Sequence, residues 1–318
     1  MKKFIFLCSI LTMLMAACSE NDEMFVIEEL PVSTRSIIAY SGETENVSVL
    51  IFGWDTNDYN YLRSWNPTWV ENKASTNLEI GKYTFLFYKS DGVSAKMIPE
   101  TLNRNTKMED VQFQALPDPE SSRSGYVLPV EEVWLQETAD KVKTAYTISG
   151  EMNHIVEAKL TRAVSQLELT IKRGYEKGET FIDLPFQDGE SIQDIIRQVT
   201  CDIKNVGSSI SINGGIGSSS VYYQSTGSGN LLEGGFTHFT GPFVFPNGTG
   251  TNSQLDIVIT PVAGSKYPEM KTTVNGMFER NKKLNVTLWL NATYELIYVS
   301  INKEPISEET EGDTGLWD

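Results

Sequence analysis

Apolar residues recur at every second position over many short stretches of this chain. Residues 46–54 read NVSVLIFGW and set Val47, Val49 and Ile51 on one face. Residues 81–89, GKYTFLFYK, alternate Tyr83, Phe85 and Phe87 against Lys82, Thr84 and Leu86. From residue 166, Leu167, Leu169 and Ile171 alternate with Glu168, Thr170 and Lys172, the pattern of a strand with one face in the core and one in water. Residues 255–260, 284–290 and 294–301 behave alike. Turn-formers lie between them: Ser90-Asp91-Gly92, Asn213-Gly214-Gly215, residues 225–230 and Pro246-Asn247-Gly248. Residues 191–199 alone have helical spacing, with Ser191 as a cap and Ile192, Ile195, Ile196 and Val199 on one side. The same residues read equally as a loop insertion. Short strands punctuated by Gly, Asn and Ser predict an all-β chain of sandwiches rather than α/β layers. The length suits two bodies, expected at 36–160 and 161–303.

The N-terminus follows a different rule. Lys2 and Lys3 precede an apolar run from 4 to 15 that is too short to span a bilayer as a helix. Ala16, Ala17 and Cys18 come next. This order resembles the lipobox of bacterial lipoproteins, in which the signal is cut before a cysteine whose thiol takes a diacylglycerol; Met15 stands where Leu is usual. A signal peptide at 1–17 and lipidation at Cys18 are therefore expected. Residues 18–35 read as a lipidated tether, and 304–318 as an acidic tail. The acidic run 19–23 resembles the signal that sends Bacteroidetes lipoproteins to the outer face of the outer membrane, and reads also as a plain solvated tether.

Charge narrows the partners. The formal net charge is −16, and −18 once Lys2 and Lys3 leave with the signal. Nucleic acid needs a basic face, and so does electrostatic docking to anionic lipid. Attachment to the outer membrane must then come from acyl chains, each buried CH₂ contributing ~0.8 kcal/mol. Beyond the signal and Cys18, Cys201 is the single remaining cysteine, so no intramolecular disulfide is open to the mature chain. It reads as a small buried hydrophobe.

Candidate chemistry is sparse. The histidines are His154 and His238. Glu151 and His154 have a metal-ligand spacing that works on a helix, whereas this neighbourhood reads as strand or turn. No Gly-x-Ser-x-Gly elbow and no phosphate-binding Gly-x-x-x-x-Gly-Lys occurs, and the Gly-rich stretches 214–217 and 227–235 link no strand to a helix. Glu131 and Glu132 read as solvated surface. Asp55, Asn57 and Asp58 faintly resemble a calcium loop without its Gly or distal Glu. No enzyme, cofactor or metal is expected. The aromatic cluster Trp54, Tyr59, Tyr61, Trp65 and Trp69, mixed with Asp and Asn, is a candidate contact for a partner protein or a glycan, or else a hairpin whose rings pack onto the core.

Taken in order, these pieces resemble a known family. The lipobox is followed by Ser33-Thr34-Arg35, the strand VSVLIF and the aromatic hairpin. Then come LEIGKYTF from 78, LTRAVSQLEL from 160, GPFVFP from 241, and Arg280-Asn281 before LNVTLWL. The chain resembles the fimbrillin-like proteins of Bacteroidetes, above all their fimbrial anchor and accessory subunits. The resemblance implies two tandem transthyretin-like β-sandwiches and subunits joined by strand donation. It also implies that Arg35 matches the site where an Arg-directed protease trims stalk subunits, so Arg35 is expected in an exposed segment ahead of the first strand. An incomplete sandwich offers unpaired backbone groups and an apolar groove, and an added strand satisfies both. Residues 304–318 lack the alternation a donor strand needs, which points to an anchor, tip or accessory unit. The expected partners are other fimbrial subunits and a host or bacterial surface glycan or protein. A glycan-binding surface lipoprotein of a nutrient-uptake system is the competing reading, and would show residues 54–69 as a flat exposed aromatic row. An enzyme would need two carboxylates facing each other across a cleft ~5–10 Å apart.

Overall fold

The computed structural model describes residues 35–306, apart from 42–45, 56–57, 91, 120–124, 131–132, 138–144, 151–152, 185–194, 218–219, 228–229, 232–236, 248–249 and 265–266. The fold is all-β. The first half contributes β1 (Arg35–Ser41), β2 (Val47–Asp55), β3 (Asp58–Trp65), β4 (Lys73–Leu78), β5 (Gly81–Lys89), β6 (Ala95–Ile98), β7 (Gln112–Ala115), β8 (Trp134–Gln136), β9 (Ala145–Ile148), β10 (Asn153–Ala158) and β11 (Leu160–Arg162). The second half contributes β12 (Ser165–Lys177), β13 (Thr180–Asp183), β14 (Ile196–Gly207), β15 (Ser209–Ser211), β16 (Ser220–Gly227), β17 (Asn230–Leu231), β18 (Thr237–Val244), β19 (Ser253–Pro261), β20 (Met270–Gly276), β21 (Lys282–Leu290) and β22 (Leu296–Pro305).

The first half is layered around a sheet ordered β11-β8-β5-β2-β3, with β9 also paired to β5. Val47, Val49 and Ile51 share one face with Phe85 and Phe87, and there meet Leu78, Val156 and Ala158 of the small sheet β10-β1-β4. The opposite face is buried too. Leu50, Phe52 and Leu86 pack with Val111, Phe113 and Ala115. The alternation in 81–89 is real, but Thr84 and Leu86, on the face opposite the phenylalanines, are as buried as the phenylalanines. A second layer covers that face: the sheet β15-β7-β6, in which β15 is drawn from the second half.

The second half is a sandwich. One sheet runs β17-β18-β12-β21-β22, with β13 on β12, and the other β16-β14-β19-β20. Leu167, Leu169 and Ile171 face the core between them, as their spacing predicts. Glu168 does not stand in water. It is 5% exposed and accepts a bond from Lys283 Nζ at 3.1 Å, because β21 lies parallel beside β12 and brings Lys283 alongside. The stretch expected as a helix differs as well. Ser191 and Ile192 lie outside the described residues, and β14 starts at Ile196. A register shift between Ile196 and Gln198 lets Ile195, Ile196 and Val199 all reach the core, so a bulged strand mimics helical spacing.

The halves are joined by more than the chain. Ile210, Ile212 and Phe245 fill the core beneath Phe52 and Leu86. Arg280, in the turn before β21, is half-buried against the first half. Its Nε donates to the Arg162 carbonyl at 3.3 Å, and one Nη to the carbonyl of Leu135 at 3.0 Å. The last strand, read from the alternation as 294–301, spans Leu296–Pro305, and the Ile306 amide just past it donates to the Asn281 carbonyl at 3.2 Å.

The register of β12 makes a paired prediction. Leu169→Asp puts an unpaired charge in the core and costs more than the ~2–5 kcal/mol of a buried Leu→Ala, whereas Thr170→Asp, one position along, costs little. Thermal melts of both variants check it, and Thr170→Asp as the more damaging change would overturn the register.

Candidate functional site: a cleft beside Trp54 and the seat of the first strand

The β2–β3 hairpin decides what the aromatic cluster does. In a regular strand Tyr59, Tyr61 and Trp65 would share a face. Trp54 pairs with Tyr59, Phe52 with Tyr61 and Val49 with Trp65, and the register slips by one residue between Ile51 and Phe52. Leu62 is the extra residue, and the bulge sends the rings to opposite sides of the sheet. Tyr59 and Tyr61 lean on the core around Phe52, Tyr61 edge-on to it at 6.0 Å. Trp65 and Trp69 turn to the other core; Trp69 lies 6.5 Å from Phe87 and donates from Nε1 to the Val47 carbonyl at 3.4 Å. The five rings form no single flat row. Trp54 keeps 44% of its surface exposed and is braced edge-on by Tyr59 at 4.8 Å.

Trp54 stands at a cleft of about 860 Å³. Its walls are β3 from Asn60 to Arg63, the turn from Asn77 to Ile80, and the start of β5, with Arg104 reaching in. Gly81 leaves room for the Tyr83 ring, which would sit 3.2 Å from an added Cβ. Burial, and then Glu79, push the Tyr83 hydroxyl above its ordinary pKa, so it stays protonated. Arg63 is held in place by Nη2, which donates to Thr76 Oγ1 at 2.7 Å and to the Asn77 carbonyl at 2.8 Å. Arg63, Lys82, Arg104 and Asn77 carried no signal in the sequence, since nothing local says that β3, the β4–β5 turn and residue 104 converge.

The remaining candidates fall into structural places. Asp58 pairs with Lys107 at 2.8 Å, and that partner holds its carboxyl below the ordinary range. Asn57, Glu131, Glu132 and Glu151 lie outside the described residues. His154 bonds through Nε2 to the backbone of Ser149. His238 lies in β18, paired with Thr170. Cys201 is buried, and burial pushes its thiol up to about 12, far from a nucleophile's range. Among the described residues no group of three or more His, Cys, Asp or Glu could hold a metal ion.

A second aromatic group, exposed at Tyr298 and half-buried at Phe181 and Trp289, escaped sequence reasoning. Phe181 and Tyr298 stack at 4.5 Å and Trp289 lies 5.1 Å from Phe181, on the outer face of the second half. The indole lies over Gly174, where an added Cβ would come within 2.6 Å of it. The alternation of 284–290 does put Trp289 outside, but only the pairing of β12 with β13 and of β21 with β22 brings the three rings together.

The first strand has an unusual seat. β1 is the middle strand of its sheet, parallel to β10 from Ser36–Asn153 to Ser41–Ala158 and antiparallel to β4. Arg35, expected ahead of the first strand, is its first residue and pairs with Leu78. Cys18 and the signal lie outside the described residues.

Residues 26–306 match the sequence model of the fimbrillin-A associated anchor proteins Mfa1 and Mfa2. The chain belongs to that family. No curated protein is similar enough to match it. Among solved structures, a candidate polysaccharide-binding protein from Bacteroides thetaiotaomicron is similar with a TM-score of 0.54 at 11% identity, over 87% of this chain and 99% of its own. A candidate adhesin from the same species gives 0.52 at 12%, over 87% and 99%. The fimbrial anchor protein Mfa2 from Porphyromonas gingivalis gives 0.48 at 10%, over 85% and 98%. At such identities the likeness is one of fold alone. Membership in the anchor family is what makes this a fimbrial, surface-associated protein.

The division of the aromatic rings is testable. Trp69→Ala should cost roughly 2–4 kcal/mol, as a ring packed on Phe87, while Trp54→Ala stays within about 1 kcal/mol. Calorimetry of the two variants checks this, and equal losses would contradict the split.

Proposed function

We propose that the chain is an outer-membrane lipoprotein, acylated at Cys18, that serves as an anchor, tip or accessory subunit of a fimbrium. It joins other subunits by strand donation and takes part in cell adhesion. The seat of β1 is the observation that carries this reading. The segment that follows Cys18 enters the fold through β1, a strand paired on both edges. Ladder bonds to β4 run across the strand, so a pull along it loads them together in shear. A strand so placed suits a subunit that holds a fibre to a membrane. It also defines the groove: without β1, β10 and β4 would each present an unpaired edge, with Leu78, Val156 and Ala158 in the core beneath. Retention of β1 fits an anchor, and its removal a trimmed stalk unit. Among the described residues no helix is long and apolar enough to cross a membrane, and lipid on Cys18 supplies the attachment.

Cys18→Ala should leave the protein as an uncut precursor or free of the membrane, as read by fractionation and intact-mass measurement. A mature, membrane-bound product of that variant would sink the lipid anchor. Brief trypsin treatment should spare the Arg35–Ser36 bond, which lies within the β1–β4 ladder, while exposed loops are cut. Early cleavage there would favour a processed stalk subunit instead.

A further inference from the structure

We propose that the cleft beside Trp54 binds a saccharide that carries a carboxylate, such as a sialic or hexuronic acid residue. The size fits: about 860 Å³ lies within the range of small-ligand pockets. Its charge runs against that of the chain. In a protein of net charge −16, the cleft gathers Arg63, Lys82 and Arg104 against Asp55 and Glu79. None of the three cations makes an ion pair with another described residue. Arg63 is held by two neutral oxygens, both through Nη2, which leaves Nη1 and Nε without a partner among the described residues. A guanidinium fixed in place with its charge unmatched is suited to a carboxylate, which it can meet with two parallel bonds.

The rest of the lining suits a sugar ring. Trp54 offers a half-exposed indole whose angle is set by Tyr59, a flat apolar surface for the C–H face of a pyranose. The Asn60 and Asn77 amides have no side-chain bond to other described residues and can both donate and accept. Asp55 and Glu79 accept from hydroxyl groups. The same two carboxylates weigh more heavily against a dianionic phosphate than against a singly charged carboxylate. A peptide strand added to β3 is blocked over part of that edge: the Tyr61 amide already donates to the Thr106 carbonyl at 2.8 Å, and Asn60 is bridged to Lys107.

The inference gives the adhesive role proposed above a ligand class, and its test is separate, since fractionation and fimbrial co-isolation need no sugar. The full-length protein in detergent is titrated by calorimetry with sialyllactose, with tri-galacturonic acid and, as the neutral control, with lactose. At least one acidic probe should bind about tenfold or more tighter than lactose, and that affinity should fall about tenfold in Arg104→Ala and in Trp54→Ala at an unchanged melting temperature. Whichever acidic probe binds identifies the source, and either supports the proposal. Equal binding of lactose, no binding of any probe, or full affinity in Arg104→Ala would overturn it. The result leaves the membrane anchor untouched, and loss of the anchor leaves this result untouched.

Discussion

The fold depends on a sheet that must be covered on both faces. β2 and β5 bury Ile51, Phe85 and Phe87 on one side and Leu50, Phe52 and Leu86 on the other. Each such side chain contributes about 1.5–3 kcal/mol only if its own face is shielded from water. The small sheet containing β1 shields the first face. The second is shielded partly by residues from beyond position 200: Ile210, Ile212 and Phe245. The two halves therefore share a core, and Arg280 ties the joint by donating to carbonyls of β8 and β11. Burial lowers the pKa of that guanidinium, yet an arginine keeps its charge, so its donors stay committed to those carbonyls.

That shared core bears on function. A subunit that holds a fibre to a membrane must pass tension from its tether through its whole body. In the proposed role the tether would lead into β1; β1 lies between β10 and β4, and the sheet they form packs on the sheet whose other face is covered partly by residues of the second half. The sandwich of the second half has its own core and a long outer strand, β22, at the edge of its sheet.

The candidate ligand cleft comes from one irregularity. Without the slip between Ile51 and Phe52, Tyr59, Tyr61, Arg63 and Trp65 would lie on one face of β3. With it, the tyrosines join one core, Trp65 the other, and Arg63 is placed to reach Thr76 across to β4. An extra residue in a strand costs local pairing, and here it turns a uniform aromatic face into a cleft with an arginine rim.

Much of this was legible in the sequence, because a strand's period of two is local. Val47, Val49, Ile51, Leu167, Leu169 and Ile171 are core residues as their alternation says, and the order of motifs along the chain pointed to the family. Local patterns fail where pairing decides. The helical spacing of Ile195, Ile196 and Val199 belongs to a bulged strand whose register is set by β19. Glu168 is buried because Lys283, more than a hundred residues away, arrives on a parallel neighbour. Arg63, Lys82 and Arg104 meet at one cleft, and Phe181, Trp289 and Tyr298 in one stack, only after strands distant in sequence are side by side. The sequence by itself determined which residues could form strands and which of their faces could be apolar. The tertiary structure decided which neighbour each strand has, and so which polar groups converge, because hydrogen bonds between strands join residues that no local pattern relates.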